Sequence, residues 1–167
     1  MWQSGELTAN GLRIYYTRTG GDKPPIVLSH GITDDGLCWT PIAKVLEEDY
    51  DIVMVDAPGH GRSEASPKGY GPLEQAADLA GVITGLGLQK PVLLGHSMGA
   101  VTTLVLAGTY PDLPGAIMLE DPPDWWMPEK QAAPQDAERF TMMINWMTEL
   151  KSKPRQQIIA EQRAMAP

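Results

Sequence analysis

Short, unbroken apolar runs punctuate this chain: "PPIVLSHG", "YDIVMVDAPGHG", "PVLLG" and "GAIMLED". Apolar runs of this length, bounded by glycine or proline, suit strands buried on both faces. Helical patterns lie between them. "GLCWTPIAKVLEED" sets Trp39, Ile42, Val45 and Leu46 on one side. "PLEQAADLAGVITGLGL" turns Leu73, Ala77, Leu79 and Ile83 inward, with Gly85 and Gly87 closing its end. "MGAVTTLVLAGTYP" is a third helix. Alternation of buried strands with amphipathic helices predicts α/β architecture, a mostly parallel, doubly wound sheet covered on both faces. A hairpin precedes it, because "GELTANGLRIYYTRTG" alternates apolar and polar residues around Asn10-Gly11.

The texture changes after Asp121. "PPDWWMPEKQAAPQ" is rich in Pro, Trp and Met, and two helical stretches follow, "DAERFTMMINWMTEL" and "PRQQIIAEQRAM". A boundary therefore falls between Asp121 and Asp124. Charge narrows the functional classes. With a formal net charge of -8, the chain shows no basic stripe of the kind that binds a phosphate backbone, and docking on anionic lipid is disfavoured. Neither a leader peptide nor a run long enough to cross a membrane is visible, so a soluble, cytoplasmic protein is expected. The lone cysteine, Cys38, makes no internal disulfide, and no cluster has metal-ligand spacing. The expected partner is a small molecule, with no nucleic acid, membrane, metal or cofactor.

In an open α/β sheet, ligands sit beyond the carboxyl ends of the strands. "SHGITDDG", "DAPGHGRS" and "GHSMG" all fall there. Gly-x-Ser-x-Gly between strand and helix is a nucleophile elbow. Gly95 and Gly99 leave room for a strained turn that lifts Ser97 clear of the backbone, and the amide of Met98 faces the point where an oxyanion would develop. A nucleotide-binding domain is excluded by the loops, since "GHSMGA" lacks the Walker lysine and is not G-x-G-x-x-G.

His30-Gly31, then D-x-x-G-H-G-x-S from Asp56 to Ser63, then G-x-S-x-G from Gly95 to Gly99 resemble, in that order, the motifs of the α/β-hydrolases. The resemblance covers Gly5 to about Asp121 and extends into the start of a helical cap. It implies residues 1–121 as the N-terminal part of the core, lacking the C-terminal strands, and 122–167 as the beginning of a cap. It also implies Ser97 as nucleophile and the backbone amides of Ile32 and Met98 as the oxyanion hole. His60 is expected to be turn scaffolding.

A serine needs a base within reach. The histidines are His30, His60 and His96, and all precede Ser97. His96 is its immediate neighbour, where side chains diverge. His30, in the resembling family, supports the oxyanion loop. The family's histidine follows its last strand, so the chain is expected to be a fragment, inactive by itself, with "GAIMLED" left as an exposed edge strand. Asp121 is a candidate acid, by analogy with one branch of the family; it could equally serve the Pro-Pro turn that follows.

Trp39, Trp125, Trp126 and Trp146 are candidates for lining a substrate pocket. Met127, Met142, Met143 and Met147 share the segment with the last three, and Met and Trp suit an apolar roof. Asp34 and Asp35 would repel a substrate carboxylate, and no Lys or Arg lies in "GITDDG", so an uncharged substrate is favoured. The expected activity is hydrolysis of an ester, or of a lactone, amide or thioester, through a serine acyl-enzyme. The alternatives are a cofactor-free haloperoxidase-like reaction and a non-catalytic binding protein on a hydrolase scaffold.

Overall fold

The structure, a computed structural model, describes residues 1–123 and 134–165. β1 (Gln3–Ala9) and β2 (Leu12–Arg18) form an antiparallel hairpin with Ala9 opposite Leu12. Asn10 and Gly11 both take positive φ, 51° and 86°, the backbone of the tight turn that Asn-Gly favours. β3 (Pro25–Ser29), β4 (Asp51–Val55), β5 (Val92–His96) and β6 (Ala116–Glu120) follow, with α1 (Thr40–Leu46), α2 (Pro72–Gly85) and α3 (Met98–Thr109) between them. The sheet order is β1-β2-β4-β3-β5-β6. β3 pairs with β4 and β5 in parallel, and β5 pairs with β6 in parallel. β2 joins β4 antiparallel.

Period-two alternation divides the core between the faces of the sheet. Val27, Val53, Val55 and Leu93 face one cluster with Leu79, Ile83 and Leu106 of α2 and α3. Ile26, Leu28, Ile52 and Met54 face the other, with Trp39 and Ala43. Both faces are thus covered, which is why these strands read as continuous apolar runs.

Two helical faces differ from the sequence pattern. A 3₁₀ turn (Gly36–Trp39) leads into α1. The buried line there runs through Trp39 and Ala43 to the partly buried Leu46, an i, i+4, i+7 stripe that leaves Ile42 and Val45 exposed. On α2 the buried face is Ala76, Leu79, Ala80, Val82 and Ile83, whereas Leu73 in the first turn is exposed and Ala77 only half-buried. Polar residues share that face because they have partners. Gln75 donates to the Tyr70 carbonyl at 2.7 Å, and Asp78 accepts from Asn10 at 3.1 Å. The end of α2 follows the expected pattern: Gly87 at φ 65° and Leu88 donate back to Thr84 and Ile83.

β6 is an edge strand, with Met118 56% exposed. The chain divides into two compact units, Met1–Pro123 and Asp124–Pro167. The second contains α4 (Pro134–Ser152) and α5 (Arg155–Met165). Lys153 pairs there with Glu149 and Glu161 at 2.9 and 3.0 Å. No helix among the described residues is long and apolar enough to cross a membrane.

Candidate active site

The order of strands reverses beside β3, so the loops after β3 and β5 open together at the carboxyl end of the sheet. Ser97 sits between β5 and α3 with φ 50° and ψ −112°, a conformation that costs an L-residue energy and persists only where its surroundings impose it. The flanking glycines explain how the turn is possible. A Cβ on Gly95 would lie 2.1 Å from the Gly99 carbonyl oxygen, and one on Gly99 would lie 2.2 Å from the Ser29 carbonyl oxygen. No side chain fits at either position. The Ser97 amide donates to the Glu120 carbonyl at 2.9 Å, fastening the turn to the end of β6, and the Gly99 amide donates to the His30 carbonyl at 3.2 Å.

Met98 opens α3, so its amide has no acceptor within the helix. Ile32 lies in the loop after β3, and the Gly31–Ile32 peptide is held from its carbonyl side. His30 Nδ1 is 2.7 Å from the Gly31 oxygen, and the Asp34 amide donates to the same oxygen at 3.1 Å. Amide and carbonyl point in opposite directions in a trans peptide, so the Ile32 N–H is aimed away from His30. Gly31 also admits the His96 ring: a Cβ there would lie 3.0 Å from His96 Nδ1 and 3.3 Å from Asp34 Oδ2.

His30 is 1% exposed. Its Nε2 accepts the Ala57 amide at 3.0 Å, which makes it a neutral ring protonated at Nδ1. Burial holds its pKa below the ordinary value, overcoming the contribution of the Gly31 hydrogen bond. Both nitrogens are therefore engaged by backbone, and His30 has none left for a serine. His60 is also engaged, with Nδ1 3.0 Å from the Pro58 oxygen and Nε2 3.0 Å from the Ile32 oxygen. The second contact was not legible as such, because it spans 28 residues. The only hint was that both loops carry a His-Gly pair.

Asp56, buried at the end of β4, accepts the Gly36 amide at 2.7 Å and the Arg62 amide at 2.8 Å. It is a brace between loops. Asp121, just past β6, is exposed and has φ 45°. Trp39, expected in a substrate pocket, lies in the core with Ile26, Leu28, Ile52 and Met54; the 3₁₀ turn directs it under the sheet. It is absent from the cavity of about 30 Å³ behind Met98, whose walls include His30, Ala57, Leu79, Val82 and Thr102. Trp146 is 44% exposed on α4. Trp125, Trp126 and Met127 lie outside the described residues. Around the loop after β3 the field is negative. The Cys38 thiol is pushed up to about 12, first by loss of solvation and then by Asp34, Asp35, Asp56 and Glu120.

Comparison with known proteins identifies the fold. A family model described as the alpha/beta hydrolase fold matches residues 24–160. The N-formylmaleamate deformylase of Pseudomonas putida is 36% identical over 122 residues, covering 71% of this chain and 45% of its own length. The 2-(acetamidomethylene)succinate hydrolase of Mesorhizobium japonicum is 32% identical over 117 residues, covering 70% of this chain and 40% of its own. Among solved structures, an N-formylmaleamic acid deformylase from Pseudomonas putida S16 superposes with a TM-score of 0.67 at 30% identity, over 72% of this chain and 47% of that one. The chain spans less than half the length of these relatives.

Proposed function

The chain belongs to the α/β-hydrolase fold family, and we propose that Ser97 is the nucleophile of a hydrolase that cleaves uncharged acyl compounds through an acyl-enzyme. The observation that carries the proposal is the strained Ser97 turn, which only glycines at 95 and 99 permit. Such strain is retained where it exposes a reacting group.

In the first step the Ser97 hydroxyl oxygen bonds to the substrate carbonyl carbon while its proton passes to a base. The carbonyl electrons move onto oxygen, which the amides of Ile32 and Met98 stabilise. Collapse expels the amine or alcohol, protonated by that base. Water then attacks the Ser97 ester by the same route in reverse and releases the carboxylic acid. His30 and His60 are engaged by backbone and His96 is the immediate chain neighbour of Ser97, so this reading takes the base to be a histidine other than these three. Turnover by this chain alone is expected to stay at background. Asp121 is the candidate acid to orient that histidine.

The names of the relatives, a deformylase of an N-formyl compound and a hydrolase of an acetamido compound, favour an N-acyl bond over an ester. Those names also denote carboxylates. Here Asp34, Asp35 and Glu120 all act on the Cys38 thiol, and with Asp34 exposed in the loop after β3 the reading favours an uncharged substrate. The reading is tested without turnover by boron NMR. Phenylboronic acid should give a tetrahedral boron signal that Ser97→Ala abolishes. An analogue bearing a carboxylate should bind about fivefold more weakly, the effect of about 1 kcal/mol of charge repulsion. A tetrahedral signal that survives Ser97→Ala, or no signal at all, would remove Ser97 as the nucleophile.

A further inference from the structure

His60 has more contacts than a turn requires. The turn it occupies is already closed by other groups. The Asp56 carboxylate accepts the Arg62 amide at 2.8 Å, the Ser63 hydroxyl donates to the Asp56 carbonyl at 2.7 Å, and the Gly59 amide donates to the Glu64 carbonyl at 2.9 Å. The backbone of His60 itself takes part, donating to Ala57 at 2.9 Å and accepting from Ser63 at 3.0 Å. Within the turn its ring meets only the Pro58 carbonyl, through Nδ1 at 3.0 Å, while Nε2 reaches across to the carbonyl of Ile32 at 3.0 Å.

The peptides on either side of the Ile32 Cα are thus each gripped by a different histidine. His30 holds the Gly31 carbonyl, and with it the plane that carries the Ile32 N–H. His60 holds the Ile32 carbonyl, the next plane along. The torsions of Ile32 are fixed only when both planes are fixed. Thr33 and Asp34, which follow, are exposed, and the Ile32 carbonyl is turned away from them into the ring of His60. The two rings also meet each other, with centroids 5.1 Å apart and planes inclined at 59°. They brace the loop after β3 against the loop after β4 from both directions.

We infer that His60 is a positioning residue for the oxyanion hole, acting through the Ile32 carbonyl to hold the Ile32 amide towards Ser97. The inference rests on the reading of Ile32 and Met98 as the oxyanion donors. It assigns hydrogens as well. The inference requires a proton on His60 Nε2, donated to the Ile32 carbonyl; a single proton on Nδ1 would serve the Pro58 carbonyl instead. His30 carries its proton on Nδ1, because its Nε2 accepts the Ala57 amide. A single proton on Nε2 gives His60 the tautomer opposite to that of His30.

The test is NMR of the ¹⁵N-labelled chain. Long-range nitrogen–proton spectra at neutral pH should place His60 Nε2 in the protonated range and His30 Nε2 in the bare range. In His60→Ala, amide exchange at Asp34, whose N–H donates to the Gly31 carbonyl across Ile32, should quicken at least fivefold, the equivalent of one ordinary hydrogen bond of about 1 kcal/mol. The amides of Gly36 and Arg62, which Asp56 holds, should keep their rates, as loss of a mere turn scaffold would not allow. His60→Gln, whose side-chain amide can still donate, should restore part of the protection. Phenylboronic acid should bind His60→Ala about fivefold to tenfold more weakly than the unsubstituted protein. If His60 Nε2 lacks a proton, or if exchange at Asp34 is unchanged in both variants, the inference is wrong. The nitrogen spectrum needs no variant, so the proton on His60 Nε2 is decided even where His60→Ala fails to fold. If phenylboronic acid does not bind the unsubstituted protein, the reading of Ser97 falls, and the ring and exchange results still decide His60.

Discussion

At Ser97 the chain adopts a backbone that its neighbours enforce, with carbonyl oxygens of Gly99 and Ser29 standing where side chains at 95 and 99 would begin. Replacing either glycine forces the elbow open. Gly95→Ala or Gly99→Ala is expected to cost at least about 3 kcal/mol, in the range of severe overpacking, read from urea denaturation. A cost near zero would mean that the turn relaxes freely. His30 makes a second residue-scale prediction. Burial lowers its folded pKa from 6.5, so on acidification the unfolded chain takes up the proton first. Its contribution to stability is full above about pH 6.5 and is lost as the pH falls through the lower, folded value. The urea midpoint should therefore drop between pH 7.5 and 5.5, and drop less in His30→Asn. At this scale the glycine and serine pattern was readable because sterics dictate it. Trp39 was misplaced because an indole suits a pocket and a core equally well, and only the 3₁₀ turn before α1 decides which.

At the scale of elements, strands were easier to read than helix faces. β3 and β4 are buried on both sides, so any register of an apolar run gives the same pattern. α1 has just seven residues, and a stripe drawn through Ile42 and Val45 or through Trp39 and Ala43 differs by one position; the sheet selects the second. Nor does the sequence pattern reveal how β2 is secured to β4. Asp51, buried at the start of β4, accepts from Arg18 Nε at 2.8 Å and from the Gly20 amide at 2.9 Å. The Arg18 guanidinium beside this carboxylate has its pKa raised, the hydrogen bond to Asp51 outweighing partial desolvation. Truncating one partner of such a pair strands the other. Asp51→Ala is expected to destabilise the protein by about 3 kcal/mol, measured by chemical denaturation, with a loss under 1 kcal/mol contradicting the assignment.

For the whole molecule, the organisation that matters is which candidate groups the sheet brings together. The sheet brings the loops after β3, β4 and β5 together, so the candidate nucleophile and both candidate oxyanion amides lie at one end of one unit. The matched stretch spans 45% and 40% of the length of the two curated relatives, and both nitrogens of His30 and of His60 lie against backbone groups. The order of motifs made the fold legible, because strand, loop and helix recur with fixed chemistry at each strand end. The substrate was not legible, because Trp125, Trp126 and Trp146 all follow Asp121, where the sequence pattern does not say what these side chains cover. Peptide mass spectrometry after exposure to p-nitrophenyl acetate, with and without added imidazole as an external base, asks directly whether Ser97 is the acylated group. An acetyl group on the Ser97 peptide that depends on imidazole and is absent from Ser97→Ala is expected. Acetylation confined to other residues, or equal in Ser97→Ala, would contradict the assignment of Ser97 as the nucleophile.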